Sequence, residues 1–360
     1  MSTITLGARA PANPAAKPLK LQDDKAMLRA AAELTRDLGV PRPAVYWADL
    51  LGSASIGYAA LAGAVSLRGG WAWAAGVVAV LALYRAMSFI HEVSHLKLSG
   101  PMRGFGQGFD AVVGVPMLIP SFMYEGVHTL HHARTRYGTA DDPEYLPLAL
   151  MKPWTLPVFI LVSTLAPVGL LLRYGVLAPL SVVIPGLRRA VVERYSALAI
   201  NPRFRRRAPE GGAKRYWDRV ELLAALWAVA LIAMVATGVI PLRAFGIGFA
   251  IASLVAVTNQ VRTLVAHLWE NDGEPMSVTA QYLDSVNVPP PALLPMLWAP
   301  VGLRYHALHH LLPGLPYHAL GEAHRRLTAA LEAESPFHRA SYTGLPFLAV
   351  KIGRSTLGRR

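Results

Sequence analysis

The chain has 360 residues, 53% of them hydrophobic and 16% charged, with a formal net charge of +13 and no cysteine. Soluble domains carry about a quarter charged residues, so this balance points to a membrane protein. The missing cysteine excludes disulfides, thiolate metal sites and iron–sulfur centres within the chain, so any electrons must come from a partner.

Seven basic residues fall within 1–46, and others cluster at Arg188–Arg189, Arg203–Arg207 and the C-terminus. No recognition motif accompanies them, which favours the anionic cytoplasmic leaflet over nucleic acid. Residues 1–20 are rich in proline and alanine without an apolar run, and read as a disordered tail rather than a secretory signal. A short helix follows, with Asp23 or Asp24 near its start, Met27, Leu28, Ala31 and Leu34 on one face, and Gly39 at its end. The expected organisation is a cytoplasmic tail and helix over 1–46, a membrane domain over 47–330, and a basic tail over 331–360.

Spans are predicted at Leu50–Leu67, Trp71–Ile90, Leu222–Ile240 and Phe245–Val265, each near the roughly 20 residues that a bilayer core of about 30 Å requires. They form two hairpins, turning at 68–70 and 241–243. Each turn holds a single arginine while the opposite flanks hold many, which directs both termini to the cytoplasm. The apolar region 154–186 is interrupted by Pro157 and Pro167. Because Arg188 and Arg189 must also be cytoplasmic, it is expected to be a re-entrant or interfacial helical pair, with a fifth and sixth span as the alternative. The predicted fold is thus an all-α membrane protein, four transmembrane helices in two hairpins with a cytoplasmic helical cap.

Histidine supplies the chemical signal. His91 and His95 come at the cytoplasmic end of the second span, in "HEVSH". "HTLHH" contributes His128, His131 and His132, His267 follows the fourth span, and "HALHH" contributes His306, His309 and His310. With 12 histidines in the chain, chance predicts on the order of 0.01 matches to His-x-x-His-His; two occur. Residues at i, i+3 and i+4 share one helix face, the spacing that lets imidazoles converge on a metal. The predicted topology brings all nine to one membrane depth.

"HEVSH" alone also fits a zinc protease, with Glu92 as base. That enzyme needs one further ligand, usually a carboxylate, and the third and fourth spans have none; the other seven histidines would be idle. A metal transporter would place histidines within its spans, not at their ends. Glu92 is expected either to accept a ligand N–H or to be solvated. Nine nitrogens suit two metals, and imidazole is compatible with iron as well as zinc.

Here the sequence resembles the membrane fatty acid desaturases, within the wider superfamily of histidine-box hydroxylases and ketolases. The resemblance spans about 48–330 and rests on "HEVSH", "HTLHH", "GTADDPEY", "RTLVAHLWEN" and "PVGLRYHALHHLLPGLPYHAL". It implies two non-haem iron ions held by His91, His95, His128, His131, His132, His267, His306, His309 and His310. It implies O2 as co-substrate, an external ferredoxin- or cytochrome-type electron donor, and a lipid or acyl substrate. Desaturation of an acyl chain is the main expectation. Hydroxylation or ketolation of an acyl chain, sphingoid base or carotenoid is the alternative. A position that is asparagine in one branch of the family is Thr263 here, with Asn259 and Asn271 as substitutes. Asp141, Asp142 and Glu144 are candidates to orient ligand N–H groups, with a solvated turn as the other reading. His318 is expected to pin the loop after the third box, and His324 and His338 to lie on the surface. Arg304 either meets a phosphate or caps a helix, and Trp154, Trp269 and Trp298 are expected to anchor the interface.

Overall fold

Asp24 starts the first helix. Its carboxylate accepts the Met27 amide hydrogen at 2.9 Å, satisfying a donor that has no partner within a helix's first turn, and α1 runs Lys25–Leu34. The computed structural model describes residues 21–357, so the expected tail at 1–20 lies outside the described residues.

The four apolar runs become α2 (Pro43–Ser66), α3 (Gly69–His95), α8 (Gly211–Ala236) and α9 (Leu242–Leu264), each extending into polar flanks. The first hairpin closes tightly at Gly57, where an added Cβ would lie 2.6 Å from the Leu83 side chain and 3.1 Å from its backbone nitrogen. At the far end of the bundle Arg243 Nη1 donates to the Val65 carbonyl at 2.8 Å, joining the two turns. Arg85, the one charge within the second predicted span, pairs with Asp49, whose carboxylate also accepts from the Tyr317 hydroxyl at 3.0 Å.

The largest departure from expectation is α6, one helix over Thr155–Val183. Among the described residues it makes five helices long and apolar enough to cross a membrane, against the four spans expected. Pro157 falls in its first turn, where a backbone donor has no intrahelical partner in any case. Before Pro167 the chain tightens into a 3₁₀ turn at Val162–Leu165, and it loosens into a π turn at Arg173–Leu177. The prolines are absorbed instead of dividing the segment. Near its start Phe159 packs on Trp269, with ring centroids 6.1 Å apart, and Thr164 accepts from Ser253 Oγ midway along α9 at 2.9 Å. Just after its end Arg188, on α7 (Pro185–Tyr195), reaches Glu221 near the start of α8 at 2.6 Å.

Between α3 and α6 lie two short helices, α4 (Phe105–Phe109) and α5 (Val127–His131). After α9 come α10 (Val278–Asp284), α11 (Pro295–Trp298), α12 (His306–Leu311), α13 (Leu320–Ala330) and α14 (Leu345–Leu357). Met27 and Ala31 of α1 join Tyr282, Leu308, Ala323 and Phe337 in one buried core. The segment read as a basic tail is largely folded, since Phe337 belongs to that core and Leu348 and Ile352 to another around Trp269. Among the described residues no strand forms, only isolated bridges. Residues 284–288 nonetheless run as a strap between His267 and the third histidine box. The Val286 amide donates to Ala266 O at 3.0 Å, and the Ala307 amide to Val286 O at 3.1 Å.

Candidate metal centre

The nine histidines arrive from four places. Helical periodicity turns His91 and His95 inward at the end of α3. Gly126, at φ 73°, starts α5 at the angle that aims its three imidazoles at them. His267 follows α9, and α12 carries His306, His309 and His310. Two groups result. In one, His91, His95, His128 and His309 each offer a nitrogen, and these atoms all lie within 4.8 Å of one another. In the other, His131, His267, His306 and His310 do the same. His132 belongs beside the first, its Nε2 being 3.0 Å from His128 Nε2 and 3.1 Å from His309 Nε2.

This arrangement fits metal. Nitrogens on opposite sides of an ion are separated by about 4.2 Å, twice a metal–imidazole bond, so each group needs little contraction. Both ring nitrogens of His91 are buried without a hydrogen-bond partner. Buried polar atoms are rarely left so. Burial first and neighbouring imidazoles second hold His128, His132, His267, His306, His309 and His310 well below the ordinary histidine value. The neutral ring is the form that binds metal.

Carboxylates and hydroxyls fix the other side of several rings. His128 Nδ1 is 2.9 Å from Glu144 and from the Tyr124 hydroxyl, which itself donates to Glu144. Burial pushes the Glu144 carboxyl up to about 7, against the opposing field of His131. Asp142 faces Nδ1 of His131. Burial alone would depress that imidazole, but Asp142 reverses the sign and raises it. His267 Nδ1 meets the Tyr137 hydroxyl at 2.9 Å and Ser285 Oγ at 3.2 Å, and Tyr137 donates to Asp284, whose carboxyl burial pushes up to about 6. Such contacts set ring orientation and tautomer.

Of the acidic residues singled out in the sequence, Asp142 and Glu144 take this role. Asp141 is exposed and makes a turn contact through its amide. Tyr137, Asp284 and Ser285 were missed. Tyr137 lies five residues past the second box, yet only the fold brings any of the three to His267. Asn271 is used elsewhere, donating to the carbonyls of Gly138 and Glu274, and Gly138 has no Cβ to collide with it.

Three further expectations change. Glu92 neither orients a histidine nor meets solvent; it is buried, accepting from the Tyr46 hydroxyl at 2.5 Å and the Tyr317 amide at 3.2 Å, while His91 Nδ1 stays 3.6 Å away. Trp269 does not anchor an interface. It is fully buried in a left-handed conformation (φ 62°) held by its indole N–H on Leu264 O at 2.6 Å. His324 is buried as well. Arg304 donates to the carbonyls of Val288 and Ala292. His318 pins the loop as expected, its Nε2 accepting from the Arg42 amide at 3.1 Å.

The family model described as Fatty acid desaturase matches residues 69–342. A ceramide hydroxylase of Caulobacter vibrioides (strain NA1000 / CB15N) is 49% identical over 329 residues, which cover 91% of this chain and 93% of that protein. No solved structure matches the chain.

Proposed function

This chain belongs to the fatty acid desaturase family, and from that premise we propose that it hydroxylates a ceramide-like membrane lipid at a di-iron centre held by nine histidines. The observation that carries hydroxylation over desaturation is the long, 49% identical match to a ceramide hydroxylase. The alternative outcome weighed in the sequence therefore becomes the reading, and double-bond formation the competing one. The balance is C–H + O2 + 2 electrons + 2 protons giving C–OH + H2O, with the electrons supplied by an external ferredoxin- or cytochrome-type donor.

Iron at these nitrogens would supply the activation of O2 toward an unactivated C–H bond. The chain's own part is to hold nine imidazoles in place and oriented and to bring an apolar chain beside them. A cavity of about 480 Å³, lined by Ile90, Met117, Phe159, Leu170 and Val255, reaches His91 and provides that approach.

We read the topology as four spans, with the histidine side and both termini cytoplasmic. The distribution of arginine and lysine supports this. So do the contacts of α6: Phe159 lies against Trp269, just past α9, and the segment that follows α6 pairs with Asp218 and Glu221 at the same end of α8. A re-entrant α6 accounts for both.

The test is expression in a host that makes ceramides, with iron and a reducing partner, followed by tandem mass spectrometry of the lipids. Gain of one oxygen on a ceramide is expected. Loss of two hydrogens would return the desaturase reading, and an unchanged lipidome in a host with active donor would defeat both.

A further inference from the structure

The cavity beside His91 changes character along α9. Ala252, Val255 and Ala256 form its apolar part, and Asn259, Gln260 and Arg262 its polar part, nearer the histidines. The stretch from Ala252 to Arg262 rises about 15 Å. Arg262 is only 8% exposed, and its Nε is buried without a hydrogen-bond partner. A buried guanidinium is costly unless something accepts its hydrogens. The carboxylate lining this cavity, Glu144, is already engaged by Tyr124 and His128.

The ligand chemistry follows from what stands around Arg262. Among the described residues Arg262 is the one arginine or lysine lining this cavity, and its polar neighbours on α9, Asn259 and Gln260, are neutral amides, a wall that offers little to a phosphate or carboxylate. A neutral group with one acceptor and one donor suits it better. We propose that Arg262 anchors the carbonyl oxygen of a secondary amide in the lipid substrate, while Asn259 and Gln260 offer side-chain carbonyls to its N–H. This rests on the lipid-hydroxylase reading and adds which part of the lipid is recognised. It also bears on position. With the amide held at the histidine end and the tail running toward Ala166 and Leu170, the carbon oxidised lies close to the amide.

The experiment uses the full chain in nanodiscs of neutral lipid, loaded with zinc so that no turnover occurs. A long-chain N-acyl amide is titrated against an alkyl ether of equal length that lacks both carbonyl and N–H. The wild type should prefer the amide by about tenfold or more, the effect of a charge-assisted hydrogen bond. Arg262→Leu should bind both at the ether's affinity, and Arg262→Lys should recover part of the preference. Both variants should hold wild-type metal, which verifies their folding. In the iron-loaded enzyme Arg262→Leu should raise KM more than it lowers kcat, and its residual product should carry the hydroxyl at scattered positions. An undiminished amide preference in Arg262→Leu overturns the proposal, as does tighter binding of an anionic phosphate lipid by the wild type. If the amide preference depends on Arg262 yet no lipid is oxidised, the anchor stands and the hydroxylase reading fails.

Discussion

Nδ1 of His131 lies 3.0 Å from both carboxylate oxygens of Asp142, a side chain with no exposed surface. Asp142 also accepts the amide hydrogens of Gly138 and Glu144 at 2.8 Å, so its position is fixed by the turn that follows the second box. Asp142→Asn keeps the shape and removes the charge that holds this ring. Metal affinity should fall about 10- to 100-fold, as when such partners are lost elsewhere. Iron retention against a graded series of chelators measures it, and wild-type retention would remove Asp142 from this role.

His267 stands alone in sequence yet sits 3.0 Å from His306 Nε2 within the second histidine group. His267→Ala should lose about one of two irons and abolish turnover, while the protein still inserts, since two metals share nine nitrogens in this reading. His338, whose Nε2 lies 3.3 Å from Leu331 O outside both groups, serves as the control, and His338→Ala should leave iron and activity intact. Metal analysis with a lipid assay reads both variants. Full iron and full activity in His267→Ala would break the nine-histidine site.

Removing the metal should also weaken the fold. The ring nitrogens that converge in the two groups, those of His91 having no hydrogen-bond partner at all, then lose what stabilises them. Added Fe(II) at 100 times its dissociation constant should restore about 2.7 kcal/mol, seen as a rise in the unfolding midpoint. Stripped protein that unfolds at the same temperature with and without Fe(II) would mean that these rings do not share an ion.

Glu92 has a structural role to be tested. Glu92→Ala leaves the Tyr46 hydroxyl and the Tyr317 amide without their acceptor, at a cost of about 1–3 kcal/mol. Because His91 Nδ1 is 3.6 Å from the carboxylate, beyond hydrogen-bond range, iron per folded chain should stay at the wild-type value. Iron loss without loss of stability would reverse this assignment.

The topology is open to direct labelling, because a chain without cysteine accepts single cysteines anywhere. Positions in 68–70 and 241–243 should react from outside, and position 140 only after permeabilisation. Labelling of position 140 in intact cells would invert the arrangement.

The histidines were legible because their spacing matches the helical period and repeats twice, a coincidence that chance does not supply. The spans were legible because a bilayer demands long apolar runs. What the sequence hid depends on contacts between distant segments. Asp284 and Tyr137 reach His267 only because the strap at 284–288 bonds across Ala266 and Ala307. Helix α6 is one helix where a helical pair was expected, because a first-turn position and a local change of helical pitch accommodate its prolines. Trp269 was given to the interface on residue type alone, though its backbone turn folds it inward.

Adjacent residues are divided between the two histidine groups. His131 belongs to one and its neighbour His132 lies with the other, and His309 and His310 are divided likewise. Each pair joins the two groups through a single peptide unit, which neither stretches nor twists appreciably. If each group held a metal, the spacing between the two ions would be gauged twice, once by each pair of neighbours. Inserting one residue between His131 and His132 would alter the gauge itself, a change that no single side-chain replacement can imitate.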